Sequence, residues 1–352
     1  MQGMGRTMPV TLYRSERGVN GTAEQGMRIG IVGAGAVGGF LAGHLARAGT
    51  EVVLLARGPH LAALRDRGLT VESRGERWTV SVPASDSAAD LGPVDAVVVT
   101  AKAPALPAIA AAIAPMLGPD TPVVCAMNGI PWWYDHGRAG VESRTVARLD
   151  PDGAIWRGIG PERAIGCVVD CPSQVVESGF VRHVAPRPGA LTLGEPYGAR
   201  SGRIERLAAV IEASGVKAPI AEDIRAALWA KLFVNISRSP LGVLTGLSER
   251  GLAEDPETLE ITIAMMREAQ AVARSHGIEV ASDEAGNRDP QRRSEHRSSM
   301  LQDWDLGRPM EIDGIVRSVQ DFARAAGVAT PTLDVVSALL VAKARVAGTY
   351  QG

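Results

Sequence analysis

The chain has 352 residues, a length that suits two domains of ordinary size better than one. Hydrophobic residues make up 45% of the sequence, charged residues 22%, and the formal net charge is -2, so neither a disordered chain nor a nucleic-acid-binding surface is expected. Because the three cysteines are sparse and odd in number, and no CxxC or HExxH spacing occurs, we expect a reducing, cytoplasmic setting and no metal site.

The N-terminal segment is polar and lacks the apolar core of a secretory signal. We interpret residues 1–26 as a disordered extension or a misassigned start, with folding from Met27. No uncharged apolar run in the sequence reaches the length that spans a bilayer, so no membrane partner is expected.

Residues 27–57 read as an apolar strand, a glycine turn, an amphipathic helix and a second apolar strand, which together form a βαβ unit. Gly33 allows the tight turn, Gly35 lets the backbone approach a pyrophosphate, and Gly38 lets the helix pack close to the strand. A glycine turn without a nucleotide is the alternative, and the placement between strand and helix disfavours it. The residues predicted to contact the dinucleotide here are Gly33, Gly35, Ala36, Val37 and Gly38.

Arg57 follows the second strand, where an NAD site usually has Asp or Glu for the ribose hydroxyls. A guanidinium pairs well with a 2'-phosphate, whereas an acid would repel it, so NADP is the predicted cofactor. The alternative is a solvated arginine at an exposed strand end.

Strands predicted at Asp95–Thr100 and Pro122–Ala126 flank a helix over Pro104–Met116. They place Lys102 and Asn128 at the edge where open α/β sheets bind ligands, so both residues are expected near the cofactor. An exposed lysine and a turn asparagine are the plain alternatives.

The segment 131–156 is irregular and rich in tryptophan, and its aromatic rings either wall a pocket or staple the loop to the core. Short strands predicted near 164–170, 174–177, 181–184 and 190–193 then complete the sheet of the first domain. After Pro219, helical periodicity dominates to the end of the chain, with a domain boundary near residues 220–221. The predicted helical segments are Glu222–Leu244, Glu257–His276, Asp289–Asp303, Ile312–Ala326 and Thr332–Val346.

The predicted fold class is therefore α/β, with an N-terminal Rossmann-type doubly wound sheet over residues 27–221 and an all-helical C-terminal domain over 222–352. A helical second domain commonly supplies a dimer interface, so a homodimer is the expected assembly. The first helix of this domain carries Lys231, Asn235 and Ser239 at i, i+4 and i+8, one polar stripe among apolar neighbours. Either the stripe lines a site, or the lysine reaches solvent and Asn235 bonds to backbone.

The chain resembles the ketopantoate reductase (2-dehydropantoate 2-reductase) family at six places that follow the family's order. They are the glycine turn at 33–38, Lys102 after VVVTA, NG at 128–129, KLFVN at 231–235 followed by SPL, SSMLQD at 298–303, and EID at 311–313.

This resemblance implies that the chain reduces a 2-oxo acid with NADPH, ketopantoate to pantoate above all. It implies that Lys231 is the general acid and that Glu311 orients the substrate and the lysine. The implied substrate contacts are Asn235, Ser239, Lys102 and Ser299 or its neighbour Ser298; Lys102 and Asn128 are the implied further contacts to the cofactor.

The chain departs from the family pattern at Ser239, where a second asparagine is usual, and at Met127, where glutamine is usual. The aromatic insert is also longer. A lost polar contact in a pocket changes substrate discrimination, so a related reductase or dehydrogenase acting on another 2-oxo or 2-hydroxy acid is the first alternative. A non-catalytic NADP-binding sensor is the second, and retention of Lys231, Asn235 and Glu311 argues against it.

Overall fold

The computed structural model describes residues 12–13, 26–281 and 284–351. Most of the predicted disordered extension over residues 1–26 lies outside this range. The strands are β1 Leu12–Tyr13, β2 Arg28–Val32, β3 Glu51–Leu55, β4 Leu69–Ser73, β5 Glu76–Val80, β6 Ala84–Ser85, β7 Ala96–Val99, β8 Val123–Cys125, β9 Ala164–Asp170, β10 Ser173–Glu177, β11 Phe180–His183 and β12 Ala190–Gly194.

Thirteen α-helices are assigned within the described residues. They are α1 Ala36–Arg47, α2 Gly58–Arg67, α3 Ala88–Leu91, α4 Leu106–Ala112, α5 Ala154–Ile159, α6 Gly202–Ala213, α7 Ile224–Thr245, α8 Glu249–Glu254, α9 Pro256–Ser275, α10 Glu284–Asn287, α11 Ser299–Asp305, α12 Ser318–Ala326 and α13 Pro331–Val346. A π-helix at Asp313–Arg317 precedes α12 directly. None of these helices is long and apolar enough to cross a membrane.

The chain divides into two compact units, and each is contributed by separate stretches of sequence. The first unit comprises residues up to Ala101, Ala105–Met127 and Gly158–Glu222. The second comprises Lys102–Pro104, Asn128–Arg157 and Asp223–Gly352. This division differs from a simple cut near residue 221, because the segment carrying the aromatic insert belongs to the helical unit.

The first unit contains a seven-stranded sheet in the order β12-β9-β8-β7-β2-β3-β6. All neighbours in it run parallel except β12, which pairs antiparallel with β9. Apart from Arg28 at the start of β2, the central strands β2, β7 and β8 consist of buried apolar residues and one glycine, because helices cover a parallel sheet on its faces. This sheet and the helical second unit confirm the predicted fold class.

The prediction that the strands near 174–177 and 181–184 complete this sheet is wrong. Strands β10 and β11 pair with each other, and β11 joins β4 in a second sheet of order β1-β5-β4-β11-β10. The physical reason is a hairpin of β4 and β5 that turns at Arg74 and Gly75, both with positive φ. This hairpin offers β11 the free edge of β4.

The second unit is built around α7, which begins after Asp223 and ends at Gly246. The Asp223 carboxylate caps the helix by accepting hydrogen bonds from the N–H groups of Arg225 and Ala226, and Gly246 ends it with a φ of 78°. Its core includes Ile130, Tyr134 and Val146 of the insert, and residues of α7, α9, α12 and α13. The insert is therefore part of the core of the helical unit.

The predicted helix over Asp289–Asp303 is wrong in its first part, since α11 begins only at Ser299. Pro290 begins a short 3-10 turn, and the polar residues after it lack the apolar spacing that would bury a helix face. The helix predicted over Pro104–Met116 is likewise broken into 3-10 turns around α4, with prolines near each start.

Candidate active site

The glycine turn of the first unit has the geometry that a dinucleotide diphosphate requires. Gly33 has a φ of 101°, and a Cβ added at Gly38 would lie 2.0 Å from the Gly33 carbonyl oxygen, so both positions need glycine. Gly35 caps α1, and a Cβ added there would meet nothing within 4 Å. Ala36 and Val37 begin a helix with no acidic residue in its first turn. This open, electropositive helix end fits a bound diphosphate.

Thr100 holds the glycine turn in place and was missed from sequence. Its hydroxyl donates a 2.8 Å hydrogen bond to the Gly33 carbonyl oxygen from the end of β7. The signal in the sequence was a threonine directly after an apolar strand, at the sheet edge where the glycine turn also lies.

Arg57 lies two residues beyond β3 and caps α2 with its backbone. Its side chain is exposed and forms no ion pair with any residue that the structure describes. The guanidinium is therefore available to an anion at the end of β3.

The predicted polar stripe on α7 is present, and its exposure decreases along the helix. Lys231 and Asn235 are half-buried, whereas Ser239 is only 4% exposed. The Lys231 ammonium has no hydrogen-bond or ion-pair partner among the described residues. A half-buried cation without a protein partner favours an anionic or polar ligand.

Asn128 joins Asn235 to Glu311 through its amide group. Asn235 Nδ2 donates to Asn128 Oδ1 over 3.4 Å, and Asn128 Nδ2 donates to Glu311 Oε2 over 3.3 Å. An ionised carboxylate only accepts hydrogen bonds, so Glu311 determines which way the Asn128 amide points. Three of the predicted site residues thus form one hydrogen-bonded chain in the second unit.

The Glu311 side chain titrates near neutrality. Burial raises its pKa to about 7, although the hydrogen bond from Asn128 and the charge of Lys102 act in the opposite direction. The neighbouring charge of Asp303 raises the pKa further. A carboxyl group of this kind can exchange a proton near pH 7.

Lys102 is held by two groups of the second unit. Its Nζ forms a 2.5 Å ion pair with Asp303 and donates a 2.9 Å hydrogen bond to the Pro309 carbonyl oxygen. Burial raises the pKa of Asp303, and the Lys102 ammonium opposes that shift. Asp303, which was not predicted from the sequence, therefore holds the Lys102 ammonium against the segment 303–309, which precedes Glu311 in the chain.

A π-helix follows Glu311 and fastens the loop that carries Asn128. Ser318 donates its N–H to the carbonyl of Asp313 instead of Gly314, so the Gly314 oxygen is free to accept from the Ile130 N–H over 2.8 Å. Gly129, with a φ of 91°, packs so close that an added Cβ would lie 2.4 Å from the Gly314 carbonyl carbon. Sequence analysis missed this junction; π-turns of this kind are frequent at functional sites.

The two serines of the SSMLQD segment have different roles in the fold. Ser298 caps α11, and its hydroxyl accepts a 3.2 Å hydrogen bond from the Leu301 N–H. Ser299 is the first helical residue and is exposed. Of the two serines, only Ser298 uses its hydroxyl to cap α11, so the Ser299 hydroxyl is not engaged in the cap.

The aromatic insert packs into the helical unit, as the staple interpretation requires. Trp132, Trp133 and Tyr134 are at most 1% exposed. Tyr134 accepts a 2.7 Å hydrogen bond from Trp229 Nε1, and Arg225 Nε donates to the Tyr134 carbonyl oxygen over 2.9 Å. These contacts join the insert to the first two turns of α7.

Two family descriptions match the chain: "Ketopantoate reductase PanE/ApbA" over residues 29–197 and its C-terminal part over residues 223–344. The chain belongs to the ketopantoate reductase family. It is thereby an oxidoreductase. A 2-dehydropantoate 2-reductase of Mesorhizobium japonicum is 42% identical over 92% of this chain and 100% of that protein.

Solved structures of the ketopantoate reductase family share the fold. A protein of Ralstonia solanacearum, assigned as a ketopantoate reductase, is 38% identical and has a TM-score of 0.87, covering 93% of this chain and all of the other. A PanE/ApbA family ketopantoate reductase from Ralstonia eutropha is 27% identical with a TM-score of 0.78, covering 92% of this chain and all of the other.

Proposed function

We propose that this ketopantoate reductase family member uses NADPH to reduce a 2-oxo acid to the 2-hydroxy acid, with ketopantoate as substrate and pantoate as product. The observation that carries the proposal is the hydrogen-bonded chain of Asn235, Asn128 and Glu311. Lys231, one turn before Asn235 on α7, has no side-chain partner among the residues that the structure describes. The 42% identity to a 2-dehydropantoate 2-reductase supports the choice of substrate.

The reduction adds a hydride to the ketone carbon and a proton to its oxygen. When bound, the reduced nicotinamide supplies the hydride and is oxidised. Lys231 is proposed to donate the proton, because its ammonium both stabilises negative charge developing on the oxygen and carries a transferable proton. Since Lys231 and Asn235 are one helical turn apart, one ligand can contact both side chains.

Glu311 and Asn128 are proposed to orient the groups around the substrate. In its protonated form, a carboxyl group whose pKa lies near 7 can give a proton to the neutral lysine after turnover and regain one from solvent. The Asn128 amide links this carboxyl group to Asn235. Ser299 and Ser239 are proposed to contact the substrate, and Lys102 the substrate and cofactor.

NADPH is proposed over NADH because Arg57, and no acid, follows β3. Gly33, Gly35, Ala36, Val37 and Gly38 are proposed to hold the diphosphate at the start of α1. The open space at Gly35 and the tight approach of Gly38 to Gly33 support this placement.

The test is NADPH oxidation followed by absorbance, with ketopantoate measured beside a panel of branched and unbranched 2-oxo acids. We expect the highest kcat/KM with ketopantoate. A clear preference for another acid would reject ketopantoate and direct attention to Ser239 and Met127. Absence of turnover with every acid, while NADPH still binds, would reject the enzymatic proposal.

A further inference from the structure

Two arginines of the second unit share one neutral hydrogen-bond acceptor. Arg238 on α7 is only 7% exposed, and its Nη2 donates to Asn287 Oδ1 at the end of α10. Arg293 Nη2 donates to the same oxygen over 2.6 Å and to the Gly286 carbonyl oxygen over 2.7 Å. Two guanidiniums therefore meet at one amide oxygen, and an amide has no charge to offset them.

The carboxylates around this pair do not balance it within the part of the chain that the structure describes. Glu249 Oε2 lies 3.7 Å from Arg238 Nη1, which is too far for a hydrogen bond. Arg250 donates to the Arg293 carbonyl oxygen, and its own charge is paired with Glu295 at 3.4 Å. Arg238 and Arg293 thus share the single carboxylate of Glu249, and one positive charge is left over.

Both arginines bear a cost that a nearby anion would remove. Burial, followed by the charge of Arg293, lowers the pKa of Arg238 to about 10, although the charge of Glu249 acts in the opposite direction. Arg293 Nε is buried and has no hydrogen-bond partner among the described residues. A buried N–H without an acceptor is unfavourable, and it is more so on a charged group.

A small cavity adjoins the two guanidiniums. Its volume is about 10 Å³, close to the least that one water-sized atom needs. Phosphate, sulfate and carboxylate ions are too large for this space. The cavity is lined by the arginine pair, Glu249 and Asn287, and otherwise by Leu252, Ala253, Leu259 and Thr262.

We propose that this cavity is a binding site for a single-atom monovalent anion, chloride, held by Arg238 and Arg293. The remaining positive charge selects an anion over a water molecule, because both fit the space and only the anion neutralises the pair. The ion also supplies the acceptor that Arg293 Nε lacks. Since the lining residues come from α7, α8 and α10, the bound ion fastens these three helices together.

Thermal unfolding of the full chain tests the proposal, with sodium chloride replacing sodium gluconate at constant ionic strength. An anion that binds only the folded state raises Tm, and we expect a rise of about 2 °C when chloride exceeds its dissociation constant tenfold. Arg293→Gln should lose this rise, because the amide keeps N–H donors without the charge. Arg274→Gln, which changes an exposed arginine in the last turn of α9, is the matched control and should show the full rise. Circular dichroism checks that both variants fold.

Sulfate tests the size of the site. It is too large to enter, so it should change the Tm of the unmodified protein and of Arg293→Gln equally. A sulfate effect that Arg293→Gln abolishes would overturn the choice of a single-atom anion.

Bromide locates the ion without any variant. Bromide is a halide of similar chemistry, and its anomalous scattering in crystals grown in sodium bromide should give a peak in contact with Arg238 and Arg293. A cavity without bromide density would overturn the proposal. The same conclusion would follow from a Tm that does not depend on chloride, or from a chloride effect that Arg293→Gln retains in full.

Discussion

The backbone N–H of Ile130 donates a 2.8 Å hydrogen bond to the carbonyl oxygen of Gly314. Asn128 lies two residues before Ile130, and Glu311 lies three residues before Gly314. This bond therefore holds together the two segments whose side chains meet in the candidate site. The π-helix makes it possible by leaving the Gly314 carbonyl without an intrahelical partner. The spacing of Asn128 and Glu311 is thus set by main-chain contact.

Gly129→Ala should disrupt this junction. The added methyl would be 2.4 Å from backbone and the residue would keep a φ of 91°, so we expect a loss of stability of about 2 kcal/mol or more and at least tenfold lower kcat. Gly314→Ala is the matched control, since its nearest atom is 3.4 Å away and its φ is not positive. Thermal unfolding and steady-state kinetics measure both; equal behaviour of the two variants would contradict the account.

Lys231→Ala should abolish proton donation without affecting the nucleotide site. We expect kcat to fall by about 10²- to 10⁴-fold, the usual contribution of a general acid. NADPH affinity, measured by fluorescence titration, should be unchanged. Lys217→Ala, at an exposed position in the first unit, is the control and should retain full turnover. Near-normal turnover of Lys231→Ala would show that another group is the acid.

Glu311 should make stability depend on pH. Its pKa is raised to about 7 in the folded protein, so between the unfolded value of 4.5 and pH 7 the folded state binds more protons than the unfolded state. Its contribution therefore favours folding at low pH and is lost as the pH rises through 7. We expect Glu311→Gln to match the unmodified protein in Tm near pH 4.5 and to exceed it at pH 8. A Tm difference that does not vary with pH would argue against the raised pKa.

Arg57→Ala should change cofactor preference. Removal of a guanidinium that contacts a 2'-phosphate costs a charge-assisted pair, so KM for NADPH should rise at least tenfold while KM for NADH changes little. Arg65→Ala, an exposed arginine on α2, is the control. The 2'-phosphate role would be rejected by equal changes for both cofactors.

Tyr134→Phe should weaken attachment of the insert. The buried Trp229 Nε1–H would lose its 2.7 Å acceptor, at a cost of about 1–3 kcal/mol. In a double-mutant cycle, Trp229→Phe combined with Tyr134→Phe should cost less than the sum of the single changes. Thermal unfolding measures this coupling, and strictly additive losses would mean that the bond contributes nothing.

The fold and the site are predictable from the sequence where a local pattern determines the structure. The glycine turn and the stripe on α7 follow from spacing, because glycine positions and helical periodicity act over a few residues. The Asn128 bridge, the Asp303 partner of Lys102 and the π-helix depend on residues far apart in sequence, so no local pattern could reveal them. The second sheet was missed for the same reason, since β11 pairs with β4 across more than a hundred intervening residues.

The discontinuity of the helical unit has a consequence for how this chain can be divided. A fragment beginning at Asp223 would lack residues 128–157, and with them Tyr134 and Ile130 from its hydrophobic core. It would also leave the Trp229 indole and the Arg225 guanidinium without the acceptors that Tyr134 supplies. Gene fusion or recombination at the apparent boundary would therefore transfer a helical unit with an incomplete hydrophobic core.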